Sequence, residues 1–143
     1  MVNLIIGQKG SGKTKRLVKL ATEALENSKG NIIFIDDDKR CMSELNYKIR
    51  FINSVEYEIK QIDELYGFVA GLLAGNYDIQ KIFIDGLNNI TAVSITDSVP
   101  FIEKLNTLCT QHDVDTYITV NGSSDTLPAA LQKYLFEELK IAE

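Results

Sequence analysis

The sequence holds one histidine, two cysteines, three arginines and no long hydrophobic run, and each scarcity removes a class of function. Cys41 and Cys109 stand alone, with no C-x-x-C pair and no His/Cys cluster, which excludes a disulfide framework and a zinc site and leads us to expect a reducing cytoplasm. The lone His112 has no partner at catalytic or ligand spacing and reads as a surface residue near a helix end. Positive charge is in deficit, at a net −5, so a nucleic-acid partner or a membrane surface is not expected, since both call for a basic face. The apolar runs are far too short to span a bilayer, and the first residues already read as a strand, so neither a membrane span nor a signal peptide is expected. Repeats, low-complexity segments and linkers are also missing. With 45% hydrophobic and 24% charged residues, the chain has the composition of a folded domain, and we expect a single unit over residues 1–143.

What is present begins at the amino end. Gly7-Gln8-Lys9-Gly10-Ser11-Gly12-Lys13-Thr14 matches the pattern G-x-x-x-x-G-K-[ST] at every specified position. It follows the apolar run Val2–Ile6 and precedes a stretch, 15–27, whose Leu17, Val18, Leu20, Ala21, Ala24 and Leu25 recur at helical spacing. A strand, a glycine-rich loop and a helix form the context in which this pattern binds phosphate. Gly7, Gly10 and Gly12 free the backbone to point successive N–H groups at phosphate oxygens, and the helix amino terminus adds its dipole. Lys13 supplies a charge for the β- and γ-phosphates, and Thr14 offers a hydroxyl to Mg²⁺, a cation that prefers hard oxygen ligands.

Further strands follow in order. Ile32–Ile35 is apolar throughout, as in a parallel sheet covered on both faces, and it ends in the acidic run Asp36-Asp37-Asp38. That run is either a solvated loop or a ligand edge, because open α/β sheets place ligands at the carboxyl ends of their strands. A short helix over 42–47, a short strand over 48–53 and a helix over 58–74 come next; Tyr66 and Phe68 on the last read as packing residues rather than a base-stacking platform. Lys81–Asp85 is an apolar strand ending in an acid, which downstream of a phosphate loop places Asp85 at the metal opposite Thr14. Gly86 stands where a second, water-polarising acid often follows. Residues 87–97 read as an irregular, mobile stretch, and Ser98-Val99-Pro100 as a helix start with Ser98 as cap and Phe101, Leu105 and Leu108 inward. A strand over 115–120 ends at Asn121, either a γ-phosphate sensor or a turn residue before Gly122; a short helix to Tyr134 and an edge strand over 135–141 complete the chain.

With these features in this order, the sequence from about Val2 to Tyr134 resembles a compact P-loop NTPase of the RecA/KaiC-like kind. The resemblance implies an α/β fold, a three-layer αβα sandwich with a mostly parallel sheet. It also implies that an acid at the end of the strand after the first helix activates water in a context like F-I-D-x-E, which here puts Asp38 in Phe34-Ile35-Asp36-Asp37-Asp38 at that position, with Asp36 or Asp37 as substitutes. The chain is similar, too, to small Firmicute, notably clostridial, P-loop proteins that carry a twitching-motility ATPase label; a hexameric pilus motor is not expected, because its His-rich segment and arginine clusters are absent. The expectation is an ATP-binding protein with slow Mg²⁺-dependent hydrolysis. Arg16, Arg40 and Arg50 are the only arginines, none in the context of a finger, so a protein partner or self-assembly would complete the site. A nucleotide-gated switch module and a small nucleoside or nucleotide kinase are the alternatives. ATP is expected rather than GTP, since no N-K-x-D base-reading motif occurs.

Overall fold

The computed structural model describes residues 1–141. Six strands, β1 (Val2–Gly7), β2 (Asn31–Asp36), β3 (Arg50–Asn53), β4 (Ile79–Ile84), β5 (Asp115–Asn121) and β6 (Leu135–Leu139), form one sheet in the order β3-β2-β4-β5-β1-β6. Every pairing is parallel, β6 included. The strands therefore all end on one edge, and the acid, the Asn and the glycine loop read from sequence come together there because β5 lies between β4 and β1.

The burial of β2 and β4 on both faces explains their continuous apolar runs. On one face Leu17, Ala21 and Ala24 of α1 (Lys13–Asn27) cover Ile5, Ile32, Phe34 and Phe83, with Cys41 and Ile49 closing the flank. On the other face α2 (Ile62–Gly75) and α4 (Val99–Gln111) pack Leu65, Val69, Leu73, Ile102 and Leu105 onto Ile33, Ile35, Ile82, Ile84 and Ile118. The result is the expected three-layer αβα sandwich. Across the α1 face runs a rung of stacked rings: Phe51 and Phe34 at 6.1 Å, Phe34 and Phe83 at 6.3 Å, Phe83 and Tyr117 at 5.3 Å between centroids.

Four local expectations are corrected. The helix expected from residue 58 starts at Ile62: Ser54–Tyr57 forms a 3-10 turn, Glu58 turns left-handed at φ 56°, and a capping box then sets the start, with the Glu64 carboxylate accepting the Gln61 amide at 2.8 Å. Residues 87–97 are not an irregular mobile stretch. They open with α3 (Leu87–Thr91), whose Leu87 and Ile90 are buried together with Ile95, and Asn88 ties the segment down by donating to the Val93 carbonyl at 2.9 Å. Exposed Asn89, Ser94, Thr96 and Asp97 hid that buried stripe. Ser98 does not cap α4 with its side chain; its buried hydroxyl donates to the Ile95 carbonyl at 2.7 Å, and Pro100 in the first turn marks the start instead. The short helix expected over 42–47 is a 3-10 turn at Met42–Glu44.

Phe83 is fully buried in the ring rung beneath the sheet's carboxyl edge. Phe83→Ala should lower unfolding stability by about 3–5 kcal/mol, read from urea midpoints, because the cavity is walled by strands that cannot collapse into it. A loss below about 1 kcal/mol would show that this face is loosely packed.

Candidate functional site

The glycine-rich loop crosses from β1 to α1, and its glycines act for different reasons. Gly10 and Gly12 sit at φ 84° and 92°, a left-handed region that side chains resist. Gly7 belongs to the strand; a Cβ there would run into the Ser11 side chain and stand 2.8 Å from the Leu139 carbonyl of β6, so close approach rather than backbone conformation demands glycine. The Ser11 amide closes a turn onto the Gln8 carbonyl at 3.1 Å, and the Ser11 hydroxyl is buried inside the loop with no hydrogen-bond partner among the described residues. Within α1 the first amide with a helical acceptor is that of Arg16, to Gly12 at 3.0 Å, which leaves those of Lys13, Thr14 and Lys15 unspent. Gln8, Lys9, Gly10 and Gly12 are exposed. The loop is thus an open nest of N–H groups at a helix amino terminus.

Lys13 arches back over the loop, its Nζ donating to the Gly7 and Gln8 carbonyls at 3.0 and 2.9 Å. Burial pulls its pKa below the ordinary lysine value, opposed by the charge of Asp85. The Thr14 hydroxyl donates to Asp85 Oδ2 at 2.7 Å across 71 residues of sequence. Asp85, 6% exposed at the tip of β4, has its other oxygen held by the Thr119 hydroxyl of β5 at 2.8 Å. Gly86, at φ 78°, turns the chain directly into α3, a conformation that glycine tolerates best and that explains the missing second acid. Asn121 is the last residue of β5 rather than part of the following turn: it stands in register with Gly7, and its amide donates to Asn88 Oδ1 at 2.7 Å.

The three acids at the end of β2 separate. Asp38 faces Arg40, accepting the backbone amide, Nε and Nη2 each at 2.8 Å; that pairing holds its carboxyl below the usual range, and no hydrogen bond joins it to Lys13, Thr14 or Asp85 among the described residues. Asp36 is buried and shares the α1 face with Phe34, the same face that Asp85 shares with Phe83. Its oxygens accept the Asp37 amide at 2.7 Å and the Cys41 thiol at 3.4 Å. Burial, a hydrogen bond to the Asp37 carboxyl and the charge of Asp85 push Asp36 up to about 8. Burial and the adjacent Asp36 likewise push the Cys41 thiol up to about 12.

Sequence reasoning missed Thr119 and the distinct position of Asp36. Period-two alternation contained the signal for both: Asp36, Asp85 and Thr119 each lie two residues beyond a ring of the rung, Phe34, Phe83 and Tyr117.

No protein-family model matches the sequence, and no curated protein matches it. Among solved structures, the chain is similar to a KaiC-like protein from the hyperthermophilic archaeon Pyrococcus horikoshii, with a TM-score of 0.71 at 15% identity over 99% of this chain and 73% of the other. At that identity the likeness shows the fold: a parallel α/β sheet of the kind found in a KaiC-like protein.

Asp36 stays neutral in the folded protein up to about pH 8 but ionises near pH 4 when unfolded, so on its account stability is greatest at low pH and falls as pH rises from 4 to 8. Asp36→Asn keeps the shape and removes that slope. The variant should melt above the wild type by at least about 2–4 °C at pH 8, the shift expected for 1 kcal/mol, with the gap closing toward pH 4. Equal melting points across that range would show that the Asp36 charge is solvated.

Proposed function

We propose that the chain is an ATP-binding protein that hydrolyses ATP slowly with Mg²⁺ and is completed by self-assembly or by a protein partner. The observation that carries this reading is the junction of Lys13, Thr14 and Asp85: a cation folded over a loop of unspent amides, and a hydroxyl hydrogen-bonded to a buried carboxylate at 2.7 Å. The residues suit the nucleotide. The orphaned Ser11 hydroxyl and the free amides of the first helical turn are acceptor-seeking groups gathered at one spot, as phosphate requires. They suit Mg²⁺ as well, because Thr14 and Asp85 supply two hard oxygens to an ion that takes the rest of its shell from water and substrate phosphates.

In this reading the loop from Gly7 to Thr14 holds the phosphates, Lys13 neutralises the charge that grows on them, Thr14 and Asp85 hold the metal, and Asn121 beside Gly7 contacts the γ-phosphate. Bound Mg²⁺ would screen phosphate charge. Asp38 orients the attacking water, with the Arg40 fork fixing its carboxylate; Asp36 is the alternative, favoured by lying on the face of Asp85. The likeness to a KaiC-like fold supports a nucleotide, and the two buried free cysteines support a reducing cytoplasm. No described helix is long and apolar enough to cross a membrane.

A second reading, an ATP-gated switch with little turnover, is favoured by the arginines. Arg16 is spent on Glu137 at 3.0 Å and Arg40 on Asp38 at 2.8 Å, and only Arg50 lacks an acidic partner among the described residues. Arg50 starts β3, at the edge of the sheet opposite the strand tips, so among the described residues no unpaired arginine stands at the site.

Lys13→Ala should weaken ATP binding at least about tenfold, the lower bound for a charge-assisted contact, as measured by calorimetry with Mg²⁺. Unchanged affinity would sink the phosphate-loop reading. Turnover should rise faster than linearly with protein concentration if self-assembly completes the site, and Asp38→Asn should remove turnover while sparing binding. Turnover that survives in Asp38→Asn but not in Asp36→Asn assigns the water to Asp36.

A further inference from the structure

Thr119 has the arrangement of a part rather than of filler. It lies on β5, between the strand that carries Asp85 and the strand that enters the loop, and is fully buried. A threonine hydroxyl has one proton. Here the Gly86 amide donates to Thr119 Oγ1 at 2.6 Å, and the hydroxyl donates its proton to Asp85 Oδ1 at 2.8 Å. With Oδ2 taken by Thr14 at 2.7 Å, the carboxylate is fixed at both oxygens, and the peptide that follows it is fixed by the same hydroxyl.

We infer that Thr119 is a positioning residue for the metal: it locks the rotation of the Asp85 carboxylate and the Gly86 turn, so that Oδ2 and the Thr14 hydroxyl face the ion together. This inference rests on the reading of Thr14 and Asp85 as the Mg²⁺ site. Removing the hydroxyl would leave the buried Asp85 Oδ1 and the half-buried Gly86 amide without the partner they share, and the carboxylate free to rotate. Ligand-orienting partners of this kind in metal sites are worth about 10–100-fold in metal affinity. A β-branched residue filling space in a strand would carry none of that.

The test separates metal from nucleotide. ATP affinity is measured by calorimetry with and without Mg²⁺, and the ratio of the two is compared among wild type, Thr119→Val and Thr119→Ser. Thr119→Val should shrink the Mg²⁺-dependent gain by about tenfold while metal-free affinity stays within about twofold, and Thr119→Ser, which keeps the hydroxyl, should restore the gain. A full gain in folded Thr119→Val overturns the assignment, as does an equal loss with and without metal, since that is the mark of a general packing defect. If Thr119→Val does not fold, Thr119→Cys, a weak donor of nearly the same volume, takes its place: a reduced gain supports the lock and an unchanged one overturns it. A wild type that binds ATP with no Mg²⁺ gain overturns both this inference and the metal site beneath it, whereas a gain confined to wild type and Thr119→Ser supports both.

Discussion

One hydrogen bond, from the Thr14 hydroxyl to Asp85 Oδ2 at 2.7 Å, sets the terms for the rest of the molecule. It joins the first turn of the first helix to the tip of a strand 71 residues later, and in this sheet it spans the one strand, β5, that lies between β1 and β4. That interposed strand brings Thr119 to Asp85 and Asn121 to Gly7. The parallel direction of every pairing is the second half of the constraint, because a single reversed strand would carry its tip to the far edge.

Beneath the tips the packing is built to hold still. Asp36, Asp85 and Thr119 stand above Phe34, Phe83 and Tyr117, whose stacked rings cross three strands on the α1 face. Leu17 and Ala21 of α1 close over the same face, so the helix that presents Lys13 and Thr14 rests on the layer that supports their partners. Phosphoryl chemistry is mostly a matter of placing charges, and a site mounted on one continuous apolar layer places them with little freedom.

The loop was the most legible feature, because its signature is a string of contiguous residues whose backbone needs are local: Gly10 and Gly12 are left-handed for reasons that no distant residue alters. The three-layer sandwich followed from uninterrupted apolar runs such as Ile32–Ile35. Where the sequence misled, the deciding partner was remote. Thr119 in a strand reads as ordinary β-branched filling until Asp85 and Gly86 arrive from another segment. The stretch after Gly86 read as mobile because its polar residues are adjacent, while its buried Leu87, Ile90 and Ile95 answer to a core that the sequence does not display.

The position of β1 has a consequence for how the chain comes to be folded. Its neighbours are β5 and β6, so that Val2 pairs with Thr116 and Leu4 with Leu135. This strand is made well before either partner exists, and β2, β3 and β4 can associate in the meantime. Contacts at such separation close slowly. An unpaired apolar strand followed by a glycine loop is a target for chaperones and for mispairing during that interval. The loop therefore takes its final shape only once β5 has been made and has paired with β1.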